Sequence, residues 1–356
     1  MSAIQIADRW VGDGHPTYFI ADISANHDGD LERAKALVHL AAEAGADAAK
    51  FQNFRAPKIV SDFGFRALGG QLSHQAAWKK SVFEVYQSAS IPFDWTPTLL
   101  ETCRQAGIHY FSSPYDFEAV DMLDAVVPAH KIGSGDITWL EILRYIAGKG
   151  KPVILATGAS DLGEVQRAVQ AIRAIHPELI LMQCNTNYTA SLENFRHIHL
   201  NVLKTYAAVF PEVVLGLSDH TPGHATVLGA VALGARAVEK HFTDDNSREG
   251  PDHPFSMTPA SWRDMVDRTR ELELAMGSPE KRVAENERDT VVVQRRCLRA
   301  ARAIPTGEVL GRDSIDVLRP ATPGAILPYE IETVVGTRAL RDIRAGEELR
   351  WSMLGE

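Results

Sequence analysis

Eight short apolar runs, each followed by a stretch of helical periodicity, constrain this chain more than any other feature. The runs are Tyr18–Ile23, Ala46–Phe51, His109–Ser112, Ala129–Ile132, Val153–Ala156, Leu179–Gln183, Val213–Leu217 and Ala235–Glu239. They are short and rich in β-branched residues, as strands buried on both faces are. From Leu31 to Ala44 apolar residues recur at three and four, and Gly45 marks the stop. Asp161, with Glu164 three residues on, opens another helix as a capping pair. Strands and helices in eightfold alternation predict an α/β fold, a (β/α)8 TIM barrel over residues 1–277. A doubly wound open sheet is the alternative. No Gly-x-Gly-x-x-Gly follows the first run, which counts against a dinucleotide-binding version.

Two segments break the alternation. Gln52 to Pro97 is far longer than a usual strand–helix loop. Such loops on barrels are lids or dimer surfaces. This one is expected to be a packed helical excursion whose aromatics, Trp78, Phe83, Tyr86 and Trp95, serve its own core rather than a ligand. After Gly277 the pattern ends. Residues 278–290 read as a charged linker, and 291–356 as a small β-rich module. Within the module Arg302–Leu310 resembles Arg341–Leu349, a weak repeat built on two similar turns. A domain this small is marginal alone and is expected to pack on something.

Composition excludes some partners. The formal net charge is −9 and the pI about 5.8, which argues against a nucleic-acid surface. No apolar run is long enough for a membrane helix, and no basic-then-apolar leader opens the chain. Cys103, Cys184 and Cys297 are scattered and odd in number, so neither a disulfide framework nor a thiolate zinc site is expected. A cytoplasmic protein is the expectation.

In a barrel, chemistry gathers where strands end. Read in order, those ends carry Asp22 and Asn26; Lys50 and Gln52; Ser113; Lys131, Ser134 and Asp136; Thr186 and Tyr188; Ser218, Asp219 and His220; Glu239, Lys240 and His241, with Asp252 beyond. Lys50 and Lys131 sit inside apolar runs, and a lysine pointing into a barrel needs an anionic partner. With the hydroxyls around them they suit a small dianion such as a phosphate ester, and either one could instead be a Schiff-base nucleophile. His220 and His241 leave neighbouring strands one strand–helix–strand step apart, so they can converge on a divalent metal whose remaining ligands are water and substrate.

These motifs resemble the sialic acid (nonulosonic acid) synthase family. Ala21-Asp22-Ile23-Ser24-Ala25-Asn26-His27-Asp28-Gly29 is similar to its opening Ala-Glu-x-x-x-Asn-His-Asn-Gly signature. Lys50-Phe51-Gln52, Phe111-Ser112-Ser113-Pro114, Lys131-Ile132-Gly133-Ser134-Gly135, Gly216 to His220, Glu239 to Phe242 and Arg248 to Asp252 match as well. Arg295 to Leu298 and Leu318-Arg319-Pro320 look like the antifreeze-like (SAF) domain that ends these enzymes. The resemblance implies condensation of phosphoenolpyruvate with an N-acylated amino sugar, giving a nine-carbon 2-keto acid and phosphate. It implies a phosphoenolpyruvate pocket at Lys50, Ser113, Lys131, Ser134, Thr186, Tyr188 and Ser218, and a metal, Mn2+ before Mg2+ or Co2+, on His220 and His241. Asp22 and Gln52 join the lysines in catalysis, while Asn26, Asp136, Asp252 and Arg319 face the sugar. Arg319 would reach the barrel of a second subunit, which implies a domain-swapped homodimer. Asp22 departs from the family's glutamate by one methylene. N-acetylmannosamine and the diacetamido-trideoxyhexoses of the legionaminic and pseudaminic branches all stay open as acceptors. A metal-dependent aldolase and a silent sugar-binding homologue are the other readings.

Overall fold

A hairpin not foreseen from the sequence, β1 (Ala3–Ile6) and β2 (Arg9–Gly12), precedes eight parallel strands. These are β3 (Tyr18–Asp22), β4 (Ala48–Asn53), β5 (His109–Pro114), β6 (His130–Ile132), β7 (Val153–Ala156), β8 (Leu179–Cys184), β9 (Val214–Asp219) and β10 (Ala237–His241). Each overlaps one of the eight predicted runs. They pair from β5 through β4, β3, β10, β9, β8 and β7 to β6, and β5 lies alongside β6, so the sheet curls into a near-closed barrel. The computed structural model describes residues 3–356. They form two units, Met1–Gly277 and Ser278–Glu356.

Helices α1 (Leu31–Glu43), α2 (Ala56–Ile59), α3 (Asp62–Ala67), α4 (Val82–Ala89), α5 (Thr96–Ala106), α6 (Phe117–Asp124), α7 (Leu140–Ala147), α8 (Leu162–Arg173), α9 (Val202–Val209), α10 (Ala225–Ala232) and α11 (Pro259–Met276) fill the connections. Asp30 caps α1 by accepting from the amides of Glu32 and Arg33, and Gly45 follows its end at φ 95°. Asp161 and Glu164 form the expected capping box of α8.

Side chains alternate faces along each strand, and this sorts the barrel into two cores. Phe19, Ala21, Ala49, Phe51, Leu155, Leu181, Leu217 and Val238 point outward against the helices. Tyr18, Ile20, Ala48, Phe111, Ile154, Ile180, Met182, Val214 and Ala237 fill the interior, and Ile4, Ile6 and Val11 of the hairpin join them. The hairpin therefore plugs the N-terminal mouth of the barrel, which leaves the C-terminal mouth for chemistry.

The second unit contains β11 (Cys297–Ala300), β12 (Ile315–Leu318), β13 (Arg338–Ala339) and β14 (Leu354–Gly355) around its own apolar core. The weak repeat is a structural one. Ile304 bridges Ile343 antiparallel, and Leu310 and Leu349 are both buried. Arg302 pairs with Glu308 at 2.5 Å as Arg341 pairs with Glu347 at 2.6 Å. The linker boundary at 290 is corrected, because a helix, α12 (Arg288–Gln294), runs across it. Its charged opening hid it among the turn residues.

Gly216 in β9 faces the interior with no room for a side chain. A Cβ there would stand 2.8 Å from Met182 Cγ and 2.9 Å from the Ala237 carbonyl. Gly216→Ala should destabilise the barrel by about 1–3 kcal/mol, seen as a lower thermal midpoint. An unchanged midpoint would contradict this packing.

Candidate active site

Inward positions at the C-terminal ends of β3, β4, β6, β9 and β10 hold Asp22, Lys50, Lys131, Ser218, Glu239 and His241. Register brings them together, with Asp22 opposite both Lys50 and His241, and Glu239 opposite Ser218. Lys50 Nζ lies 2.6 Å from Asp22 Oδ2 and 3.6 Å from Glu239 Oε2, and Lys131 Nζ lies 3.3 Å from Glu239 Oε1. Ser218 Oγ donates to Glu239 Oε1 at 3.2 Å, and Gln52 Nε2 to Asp22 Oδ2 at 3.3 Å. All four charged groups are buried.

Their protonation follows from who compensates whom. Burial opposes ionisation of Glu239, but Lys131 and Lys50 override it and hold its pKa down at about 2. Burial also works against Lys50, yet Asp22 and Glu239 raise its pKa above the ordinary lysine value. Lys131 goes the other way. Burial lowers it, Glu239 resists, and Lys50 adds repulsion. Lys131 has one carboxylate within reach where Lys50 has two. Ser113 Oγ is buried with no hydrogen-bond partner. Ser134 Oγ accepts from the Gly158 amide at 2.9 Å. A Cβ on Gly158 would come within 2.4 Å of Thr186 Cγ2, so these elements close tightly around the same space.

The two predicted histidines do converge. Their ring centroids lie 5.3 Å apart, with Tyr188 edge-on to His220 at 4.2 Å and Phe255 edge-on to His241 at 4.9 Å. His220 Nδ1 donates to the Asn185 carbonyl at 2.8 Å, which leaves Nε2 as the free lone pair. Burial, then the neighbouring His241, holds the His220 pKa down at about 3, so its ring is neutral, as a ligand must be. His241 Nδ1 is buried and unpartnered, and Nε2 lies 3.6 Å from Asp22 Oδ2. Two adjacent imidazoles, each with an uncommitted ring nitrogen, are donors of the kind a divalent ion takes. Among the described residues no group of three or more His, Cys, Asp or Glu is spaced to hold an ion. The histidines thus fit an open centre that water or substrate would complete.

Beside His241 opens a cleft of about 180 Å3, lined by Gln52, Ser24 and Asp252 among others. Asp252 Oδ2 accepts from Ser24 Oγ at 2.6 Å and lies 3.8 Å from His241 Nδ1. Trp78 and Tyr86 of the insertion pack in its small core, as expected, but also line this cleft. The expectation that they serve only the core is corrected.

The NeuB family model covers residues 37–281, and the SAF domain model covers 295–355. The chain belongs to the NeuB family. Among its NeuB relatives is the spore coat polysaccharide biosynthesis protein SpsE of Bacillus subtilis, 36% identical over 99% of this chain and 97% of that one. The N,N'-diacetyllegionaminic acid synthase of Legionella pneumophila is 34% identical over 96% of this chain and 95% of its own length. The solved N-acetylneuraminic acid synthetase of Leptospira borgpetersenii superposes with a TM-score of 0.71 at 27% identity, covering 82% of this chain and 95% of that one.

Within this NeuB barrel some expectations change. Asn26 is not in the cleft lining. It is fully buried, and its Nδ2 donates to the Phe242 carbonyl and to Ser256 Oγ, both at 2.9 Å, which ties the ends of β3 and β10 together. Its assignment to the sugar is corrected. Asp219 and Lys240 form a buried pair with each other on the outward face, where Thr226 of α10 also donates to Asp219. They cannot serve the mouth. Glu239, quoted in a motif but given no role, is the central anion. Arg319 lies in the second unit, exposed, with Nε donating to the Gln294 carbonyl at 2.6 Å.

Asp136, half-buried, has its pKa raised by burial to about 6, against the pull of Lys131. Between the ordinary carboxylate value and about 6 the folded protein holds a proton that the unfolded chain releases, so this group lowers stability as pH rises through that window. Asp136→Asn should therefore raise the thermal midpoint at pH 8, with the gain fading below pH 4. A gain that grows toward low pH would show the opposite shift.

Proposed function

We propose that this NeuB protein is a nonulosonic acid synthase, condensing phosphoenolpyruvate with an N-acylated amino sugar to give a nine-carbon 2-keto acid and inorganic phosphate. The observation that carries this reading is the pair of buried lysines, Lys50 and Lys131, gathered around Glu239 at the same barrel mouth as two histidines whose rings lie 5.3 Å apart. A ligand bearing phosphate and carboxylate can accept hydrogen bonds from both ammonium groups, and the unpartnered Ser113 hydroxyl supplies a further donor for it.

Each residue then has a task. Lys50 and Lys131 hold the phosphate and carboxylate of phosphoenolpyruvate, aided by Ser113, Ser134, Thr186, Tyr188 and Ser218. His220 and His241 are the residues that would hold a divalent ion, Mn2+ or else Mg2+ or Co2+, whose chemistry when bound is polarisation of the acceptor aldehyde. Gln52 and Asp252 orient the sugar at the inner end of the cleft, with Asp136 near the mouth. C3 of phosphoenolpyruvate attacks the aldehyde carbon, water adds at C2, and C–O cleavage releases phosphate. Asp22, beside Lys50 and His241, accepts the proton that the adding water gives up and returns it to the alkoxide formed on the former aldehyde oxygen. Its shorter side chain is already engaged by Lys50, Gln52 and the Ser24 amide.

Two finer points belong to the same proposal. The enzyme is a domain-swapped homodimer in which Arg319 of the partner subunit contacts the sugar's acyl end. It works in the cytoplasm, in keeping with three buried free cysteines. No helix among the described residues is long and apolar enough to cross a membrane.

The deciding experiment is phosphate release from phosphoenolpyruvate with Mn2+ and amino-sugar acceptors. Release that depends on both the sugar and the metal is expected, and His241→Ala should abolish it. Condensation with pyruvate and no phosphate would mean an aldolase instead. Phosphoenolpyruvate should raise the thermal midpoint of the native protein, and Lys131→Met should remove that shift. A full shift in this variant would take the anion away from Lys131. Arg319→Ala should raise the sugar KM well above its effect on the phosphoenolpyruvate KM. Equal effects would remove Arg319 from the sugar.

A further inference from the structure

A second group of titratable side chains gathers where β3 and β10 end, and the chemistry above makes no use of it. Burial opposes the charge on Asp28, but His253 and Arg248 hold its pKa below the ordinary carboxylate value. His253 Nε2 lies 2.9 Å from Asp28 Oδ1, an ionised carboxylate oxygen that can only accept, so Nε2 donates. His253 Nδ1 lies 2.7 Å from Thr243 Oγ1 and accepts from that hydroxyl. Carboxylate, imidazole and hydroxyl stand in the order of a nucleophilic triad. Yet Thr243 and His253 are each 0% exposed and neither lines the cleft, so no substrate reaches the hydroxyl. This chain of bonds holds something in place instead.

What it holds is the turn beside the site. His253–Phe255 form one 3-10 turn that starts from Asp252. Asp252 Oδ2 stands 3.8 Å from His241 Nδ1, and the Phe255 ring 4.9 Å from the His241 ring. The loop carrying them is closed at its base, where the Thr243 amide donates to the Met257 carbonyl at 2.9 Å and the Met257 amide to the His241 carbonyl at 2.8 Å. Asn246 Nδ2 ties the His253 and Ser256 carbonyls, at 2.8 and 2.6 Å. The loop folds closely around the imidazole, since a Cβ on Gly250 would come within 2.6 Å of His253 Cδ2. Asp28, arriving from β3, also takes Arg248 Nη2 of this loop at 2.7 Å. Asp252 and His253 share one rigid peptide plane, so a ring that turned or withdrew would carry the Asp252 carboxylate with it.

Resting on the synthase reading, in which Asp252 meets the acceptor, we propose that Asp28, His253 and Thr243 form a positioning relay. The imidazole, pinned at both nitrogens, fixes the backbone from which Asp252 reaches the site, while Ser24 steadies the carboxylate itself. None of the three touches substrate. The relay governs use of the acceptor and leaves phosphoenolpyruvate to Lys50 and Lys131, whose ion pairs with Asp22 and Glu239 involve no member of it. Thr243 offers the cleanest test, because valine has its shape without its hydroxyl.

The test compares Thr243→Val and Thr243→Ser with the native enzyme in phosphate release from phosphoenolpyruvate with Mn2+. The acceptor is the one the native enzyme turns over, N-acetylmannosamine or a 2,4-diacetamido-2,4,6-trideoxyhexose. Thr243→Val should lower kcat/KM for the sugar by about 10-fold, the cost of a small misplacement away from the reacting atoms, while the phosphoenolpyruvate KM stays at its native value. The rise in thermal midpoint that phosphoenolpyruvate causes should also match the native one, which a general loss of packing would not preserve. Thr243→Ser, which keeps the hydroxyl, should restore the sugar kcat/KM. Asp252→Asn should lower it too, and adding Thr243→Val to that variant should cost nothing more, as for two residues acting as one. An unchanged sugar kcat/KM in Thr243→Val, a matching rise in the phosphoenolpyruvate KM, no recovery with serine, or a full further loss on top of Asp252→Asn each overturns the relay and leaves the synthase reading standing. No phosphate from the native enzyme with either sugar overturns the synthase reading, and the relay with it.

Discussion

One carboxylate shared by two buried lysines governs the mouth of this barrel. Alone in the interior, Lys50, Lys131, Glu239 or Asp22 would cost several kcal/mol, and together they satisfy one another. They meet only because the strands hold a fixed register, with Asp22 level with Lys50 on one side and His241 on the other. A slip of one residue in β10 would turn Glu239 and His241 to the helices and bring Lys240 inward. The inner apolar layer and the hairpin plug below it therefore stabilise the barrel and also hold these charges in phase.

The cluster's charges cancel, with two ammonium groups against two carboxylates. A ligand carrying both phosphate and carboxylate finds no net positive charge in it. His220 cannot supply any, since burial and the neighbouring His241 keep it neutral. What the pair offers instead is ring nitrogens, one left free by the Asn185 carbonyl and one buried without a partner. A divalent ion bound there would bring the missing charge within reach of both substrates. Under the proposed function, the metal requirement is then tied to anion binding as much as to the aldehyde.

The barrel was legible because strands covered on both faces must be apolar throughout, and eight such runs are hard to mistake. The site was legible for the same reason. A lysine in an apolar run, or a histidine just past one, has few structural excuses. What failed shows the limit. The β1–β2 hairpin has four-residue strands with mixed patterning, below what periodicity can detect. Asn26 looks like a site residue because it follows a strand end, yet its amide joins two backbone segments. Asp219 and Lys240 could have been excluded from the sequence itself. Lys240 lies one residue from both Glu239 and His241, so strict alternation already sends it to the other face. Glu239 was available by the same count.

The insertion obeys none of these constraints. Its helices do not share the strand register, and its small core of Ala56, Val60 and Val82 needs only volume and polarity to be kept. Side chains on its cleft-facing side can change without disturbing Lys50, Glu239 or the histidines. The motifs that define the family lie in the barrel and specify what is joined, a phosphorylated enol to an aldehyde. The insertion also lines the cleft beside His241, and no periodicity or charge rule marks the side chains that do so. Family membership is therefore plain from the sequence, while the insertion's share in the cleft becomes readable only once folding brings Ile59, Trp78 and Val85 to its lining.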